Sequence, residues 1–446
     1  VSAHPNIPAI ITVLVFAGII LSIALNWLNL AVAGLLGAML LRILGIVSPQ
    51  TAVSSINAAF DTIGLFFGGM VVARALIPTG IFDYLGARVL RLVHGDGRLL
   101  LLSVIALTAP ICAILPNATV VILFAPLLIR VCRMMRVDFA SPVILLVLVA
   151  NASGLITLVG DPATFIVGSS IRMSFGSYLS LLSPGGILAV VALVLLLPVL
   201  FRPVWNTRAS VSEVEIPRIE HFGVLIVGVL TVVLMVALFI VGESLPMQLA
   251  PPGVAIIGAS LMLLAIYLSK LDEVSAVLAD IDWETLLFFV CIFVMVGALD
   301  STGVIAAVGS RLRNIFGSEI GSACLIILLT VGLLSSTVPN IPLVVAMVPI
   351  VGQYAMGQGW ATAAQLNAGH GGLPAHTMPL FYAMMFGATL GGNGTIFGAS
   401  SNIVAAGICI QEGRPLGYVE FARFGIPTMI VQLLVSAIYL KLRFLR

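Results

Sequence analysis

Apolar residues in this chain are gathered into long runs, most of about 16 to 22 residues, parted by short polar or Gly/Pro-rich breaks. A helix needs roughly 20 such residues to cross about 30 Å of hydrocarbon, so each run reads as a membrane helix. Two plain helices are predicted over about 8–26 and 30–47 and a third over 62–79; a second set falls at 221–242, 253–269 and 284–301. After each third helix comes an amphipathic stretch, Phe82 to His94 and Ile305 to Phe316, with arginines on one side, suited to the membrane interface. A hairpin follows, turning at "LPN" (Leu115 to Asn117) or "VPN" (Val338 to Asn340). Next is a helix interrupted by Gly and polar residues, then a final helix over 184–201 or 425–440.

The same parts thus occur twice in the same order. Gly80/Gly303, Gly86/Gly309, Arg88/Arg311, Pro116/Pro339, Asn117/Asn340 and Pro126/Pro349 are identities at one offset of 223. Past the hairpin the offset becomes 238, matching Gly154/Gly392, Thr157/Thr395 and Gly160/Gly398 and pairing Thr164 with Asn402. The difference of 15 is an insertion around Gly357 to Pro379, a polar, Gly-rich loop whose His370 and His376 read as solvated. Residues 1–204 and 220–446 are expected to be the two repeats and 205–219 the linker between them. A hairpin returns to the side it left, so each copy makes five net crossings. An odd count inverts the second copy relative to the first, as in many secondary transporters. The expected fold class is an all-α polytopic membrane protein of two inverted repeats, with one hairpin and one broken helix in each.

Composition agrees with this and removes other classes. Of 446 residues 61% are hydrophobic and 9% charged, against about a quarter charged in soluble domains, and the mean hydropathy is +1.22. Ile7 to Leu25 lacks a basic leading region and a small-residue cleavage site, and reads as a membrane helix rather than a signal peptide. The five cysteines are scattered without metal spacing, so packing is their expected role. A net charge of +2, with no phosphate-cradling loop, gives no sign of nucleic-acid binding. No nucleophile–base pair or metal cluster is visible; no enzymatic activity, cofactor or metal is expected. With this topology thirteen Lys and Arg, among them Arg74, Arg91, Arg133, Arg202, Lys270 and Arg414, share the linker face against seven opposite. That excess predicts a cytoplasmic linker and two external termini.

The chemistry concentrates at the breaks. From Pro142 to Asn151 is nine residues, about 14 Å of helix, which reaches the bilayer centre. Unwound backbone is tolerated at that depth only where protein or a cavity surrounds it. The first break, "ANASGLITLVGDPATFIVG" (Ala150 to Gly168), carries Asn151, Thr157, Asp161 and Thr164; the second, Gly391 to Gly407, carries Asn393, Thr395, Ser400, Ser401 and Asn402. Hairpin tips add Asn117, Thr119 and Asn340, so four discontinuities are expected to converge on one substrate or ion site. Asp161 is the acid of the first break and the expected proton carrier, although Gly-Asp-Pro also spells an N-cap followed by Pro at N1. Asn117 and Asn340 could be turn caps alone. Asp61 and Glu284 read as caps at matched helix starts, and Asp300, late in its helix, as a second proton-site candidate. A site rich in hydroxyls and amides with one acid and no arginine clamp suits small neutral polyhydroxylated species.

"LVGDPATFIVG" (Leu158 to Gly168), "GGNGTIFGASSNIVAAGI" (Gly391 to Ile408) and "HGDGRLLL" (His94 to Leu101) resemble the ion transporter superfamily that holds the ArsB arsenite-efflux proteins, the NhaD-type sodium/proton antiporters and the pigmentation P protein, with the divalent anion/sodium symporters as distant relatives. Thr164 stands where that pattern usually has Asn, and "LPNATVV" (Leu115 to Val121) lacks the Asp that antiporter members tend to place beside the Asn. The resemblance implies a secondary transporter of the cytoplasmic (inner) membrane, with proton-coupled efflux of arsenite or antimonite, both triol-like near neutral pH, as the favoured activity. It implies protons, lipid and, as in related arsenite pumps, an ATPase subunit as partners. The alternatives are a sodium/proton antiporter and a sodium-coupled, dicarboxylate-like anion transporter; a passive channel is the reading from another class.

Overall fold

The computed structural model describes residues 7–25, 27–209, 219, 221–368 and 373–445; His370 and most of the charged linker lie outside them. Among the described residues there is no β-strand, and nine helices are long and apolar enough to cross a membrane. The first copy runs α1 (Ile7–Ala24), α2 (Leu30–Ile43), α3 (Pro49–Leu76), the interfacial α4 (Ile81–Val93), hairpin helices α5 (Gly97–Cys112) and α6 (Asn117–Met134), and the broken pair α7 (Ala140–Ser153) and α8 (Pro162–Ser170). It closes with α9 (Phe175–Leu181) and α10 (Ser183–Leu200), and a single turn, α11 (Arg202–Trp205), leads into the linker. The second copy runs α12 (Phe222–Val241), α13 (Pro251–Ser269), α14 (Val274–Ala279), α15 (Trp283–Ser301), α16 (Val304–Phe316), hairpin helices α17 (Ile320–Ser335) and α18 (Asn340–Gly357), α19 (Ala363–Ala368) in the inserted loop, the broken pair α20 (Met378–Gly391) and α21 (Ser400–Gln411), and α22 (Tyr418–Phe444).

Local capping explains many of these starts. Asn29 accepts the Ala31 and Val32 N–H groups, Ser48 caps α3 ahead of Pro49, and Asp96 accepts the Arg98 N–H at α5. The Ser48–Pro49 start corrects one expectation: α3 begins thirteen residues before residue 62, so Asp61 is an exposed residue inside the helix and not a cap. In the second copy "DIDW" splits the matching stretch into α14 and α15, and Asp282 caps α15 by accepting from the Thr285 N–H at 3.0 Å. Glu284 sits in the first turn of α15, where its carboxylate accepts from Asn29 Nδ2 at 2.7 Å.

Side-chain registers give the relative direction of the copies. Along α3, Gly64, Gly68 and Arg74 meet Pro252, Ala255 and Asp272 in ascending order, so α3 runs parallel to α13. Likewise Gly34 and Gly37 of α2 meet Cys291 and Met295 of α15. The two third helices are antiparallel, since Phe66 packs on Phe289 while Ser55 lies against Gly297. The final helices are antiparallel too, through Leu181–Tyr439, Ala189–Gln432 and Phe201–Phe424. A third helix parallel to the other copy's second and antiparallel to its third is what inversion requires.

The helices sort into two bodies. α1–α3 and α12–α15 form one; the hairpins, broken helices and final helices of both copies form the other. Ion pairs tie each body internally. Arg74 bonds Asp280 at 2.6 Å and Asp272 at 3.3 Å in the first. In the second, Arg414 bonds Glu420 at 2.6 Å and Asp138 at 2.9 Å, and those carboxylates raise the guanidinium's affinity for its proton. The "HGDG" stretch anchors the linker's first residues: Gly97 N–H donates to the Thr207 carbonyl and Ala209 N–H to that of Gly95. A Cβ on Gly97 would lie 1.8 Å from the Val204 carbonyl oxygen, so only glycine permits that approach.

Candidate functional site

Each break is seated on the hairpin tip of its own copy by the repeated Gly and Thr residues. Thr157 Oγ1 donates to the Ala113 carbonyl, and its counterpart Thr395 Oγ1 to that of Ser336. A Cβ on Gly160 would stand 2.7 Å from the Cys112 carbonyl oxygen, and one on Gly398 2.8 Å from that of Ser335. These contacts obey the 223 and 238 offsets, so the pattern that marks the repeat builds two equivalent joints. Gly160→Ala and Gly398→Ala are each expected to cost about 1–3 kcal/mol through overpacking, read as a lowered unfolding midpoint in detergent. A midpoint unchanged in both would show that the joints yield freely.

The broken helices meet across the copies. Thr164 lies against Thr389, with the two Oγ1 atoms 3.2 Å apart, while Gly168 faces Met385, so α8 and α20 run antiparallel. On the other side Asn151 Nδ2 donates to Asn402 Oδ1 at 2.9 Å and Asn393 Oδ1 at 3.0 Å, and Asn151 Oδ1 accepts from Ser401 Oγ at 2.7 Å. Asn402 Nδ2 donates to the Gly392 and Thr395 carbonyls, both at 2.8 Å, and Asn393 Nδ2 to Gln432 Oε1 at 2.8 Å. These amides are buried with their donors engaged, as hydrocarbon depth demands. Asn151 holds both Asn393 and Asn402 and their other bonds go to neighbouring protein groups, which makes the three a fastening between the copies.

Asp161 sits beside this fastening at 3% exposure and caps α8. Its Oδ2 accepts from the Ala163 N–H at 3.0 Å, the Thr164 N–H at 3.2 Å and Thr389 Oγ1 at 3.3 Å. Its Oδ1 accepts from Asn117 Nδ2 at 3.2 Å and Asn340 Nδ2 at 3.5 Å, one from each hairpin tip. Donors from four chain segments thus surround one carboxylate, and no ion pair reaches it among the described residues. Such a group can carry its charge on those donors or lose it by taking a proton. Asn117 Oδ1, also buried, has no hydrogen-bond partner.

Asp161, Asn117, Asn340, Asn151, Ser400 and Ser401 border a narrow central cavity of ≈ 30 Å³ at the seam between the bodies, lined on the other side by Phe66, Met70, Phe289, Thr285 and Asp282. None of its described lining residues is Arg, Lys or His. Thr119 is half-buried one step along α6 and does not line it; Thr157 and Thr395 face the joints. Asp300 is exposed and lies elsewhere, with Asp61, in a ≈ 410 Å³ cleft.

Four polar residues of the site, Thr389, Gln432, Asp282 and Thr285, were not singled out from the sequence. Thr389 could have been, because the 238 offset makes it the counterpart of Asn151, just as Thr164 is that of Asn402. Gln432, which secures Asn393, lies in a final helix that reads as plain. Asp282 lies two residues ahead of the expected start of the 284–301 helix. Among the described residues no three of His, Cys, Asp and Glu gather into a metal-holding group, and the five free cysteines are buried.

Inverted broken helices meeting at hairpin tips around a buried carboxylate, in a polytopic helical protein, define the architecture of a secondary transporter. The chain belongs to the CitMHS citrate transporter family, whose model matches residues 17–369, and with it to the ion transporter superfamily. It is 48% identical over 436 residues to an uncharacterized transporter of Synechocystis sp., covering 97% of both chains. It is 26% identical to the P protein of Homo sapiens, covering 96% of this chain and 59% of that one. The crystal structure of the Alcanivorax borkumensis YdaH transporter, described as having an unusual topology, matches 90% of this chain and 88% of its own with a TM-score of 0.58 at 13% identity, a likeness of fold.

Proposed function

We propose that this transporter couples proton movement to the export of a small, neutral, hydroxyl-rich solute, with arsenite and antimonite as the cargo that best fits the site. The observation that carries this reading is the cavity lining: a buried carboxylate among amides and hydroxyls, with no basic side chain among the described lining residues. A triol-like solute can donate to Asn117 Oδ1 and accept from Ser400, and Asp161 is the group that would take the proton. The family is described as one of citrate transporters, which supports an anion as the second reading. Against free citrate stands its charge, because Asp161 and Asp282 border the same cavity without a cation to offset a tricarboxylate.

The excess of arginine and lysine on the linker face supports a cytoplasmic linker and external termini, and the inner membrane is the location that the family resemblance implies. Residues 1–204 and 220–446 are then the two inverted halves and 205–219 the cytoplasmic connection. Pairing with an ATPase subunit would take place on that face.

Everted vesicles offered arsenite, citrate, succinate and sodium side by side, with and without a proton gradient, test the reading. Arsenite uptake that collapses when the gradient is dissipated is expected; uptake of citrate or sodium in its place would sink it. Asn117→Ala and Asn340→Ala are each expected to impair uptake while the protein still inserts, since each removes one donor to Asp161. Wild-type rates in both would leave the hairpin tips as turns only.

A further inference from the structure

The central cavity carries a second carboxylate, from the other body. Asp282 caps α15, its Oδ1 and Oδ2 accepting from the Thr285 N–H at 3.0 Å and Thr285 Oγ1 at 2.6 Å, and it is half-buried where Asp161 is enclosed. It belongs to the second copy alone. At its counterpart, 282 − 223 = 59, the first copy has Ala59 inside the uninterrupted α3. The break that ends α14 and restarts the helix at α15 therefore sets an acid on the seam, on the linker side, where Arg74 is engaged by Asp272 and Asp280 instead. Asn117, buried and bordering the same cavity, adds an acceptor oxygen without a partner. Asp161, Asp282 and Asn117 Oδ1 all offer acceptors to whatever enters.

We propose that Asp282 is a specificity-determining residue: it guards the linker-side entrance to the central cavity, admitting neutral or cationic solutes that donate hydrogen bonds and turning anions away before they reach Asp161. This rests on reading the cavity as the cargo site, but access can be measured without any cargo, so the two can fail separately.

The test is charge-dependent labelling of Ser400→Cys, which lies on the cavity wall, with cationic and anionic ethyl methanethiosulfonates of similar size applied from the linker face. The parent protein, whose five cysteines are buried, supplies the background. The cationic reagent is expected to react faster, and Asp282→Asn to lower the cationic-to-anionic rate ratio about tenfold, the size expected from removing one nearby charge. Asn is a good N-cap, so α15 keeps its start; Asp282→Ser must act in the same direction, and Asp282→Glu must keep the ratio high. A ratio unchanged in folded Asn and Ser variants, or a cysteine that neither reagent reaches, overturns the proposal.

Discussion

Asp161→Asn is expected to bind cargo with near-wild-type affinity and to accumulate none of it against a gradient. The amide oxygen can still accept from the Ala163 and Thr164 N–H groups, and Asn caps a helix about as well as Asp, so α8 keeps its start. The new NH2 group meets two donors, from Asn117 and Asn340. Asn117 can answer by turning its amide, since its Oδ1 has no partner to lose. Geometry therefore survives while the titrating group does not. Cargo binding to the purified variant, accumulation in energised vesicles and cargo-induced proton release separate the two effects. Asp300→Asn is the control, because Asp300 lines another cleft that Asp161 does not border. If Asp161→Asn still concentrates cargo and moves protons, Asp161 is a helix cap and Asp300 becomes the coupling candidate.

The largest loss of stability is expected from Asn151→Leu. Leucine keeps the branching of the side-chain heavy atoms but deprives Asn393 Oδ1, Asn402 Oδ1 and Ser401 Oγ of their shared partner, leaving the last two only each other at 3.4 Å. Measured hydrogen-bond couplings in a membrane bundle average roughly 0.6 kcal/mol, which puts three bonds at about 2 kcal/mol. The roughly 1–3 kcal/mol for each buried group left unsatisfied in soluble proteins would make the loss larger. Asn151→Thr should cost less, because a hydroxyl can keep one bond to Asn402, as the equivalent Thr164–Thr389 pair does across the seam. Unfolding midpoints in detergent rank the variants. Equal midpoints for wild type and Leu would mean that the copies are fastened by apolar packing alone.

Much of this molecule was legible because its strongest constraints are local. Backbone in hydrocarbon must satisfy its own hydrogen bonds, so long apolar runs had to be helices and Gly-rich polar interruptions had to be enclosed. The 223 and 238 offsets exposed the repeat, and an odd number of crossings made inversion a matter of counting. The α3 start was misplaced because an acid within an apolar run looked like a boundary, whereas Ser48–Pro49 capped the helix earlier. The same bias hid Asp282, whose "DIDW" setting resembles any interfacial turn.

By itself, then, the sequence determined the helical membrane class, the doubled plan and the positions of the breaks, all of which follow from chain-local hydrophobicity and backbone satisfaction. Only the tertiary structure decided how the polar residues divide their work. Asn151 spends its donors on Asn393 and Asn402, fastening the copies; Thr157 and Thr395 spend theirs on hairpin carbonyls. Asp161, Asn117 and Asn340 are left facing a cavity with Asp282 across it. That division rests on pairings distant in sequence, from 44 positions for Asn117 with Asp161 to 251 for Asn151 with Asn402. Residue type reports that a side chain can bond; the crossing of the helices decides with what.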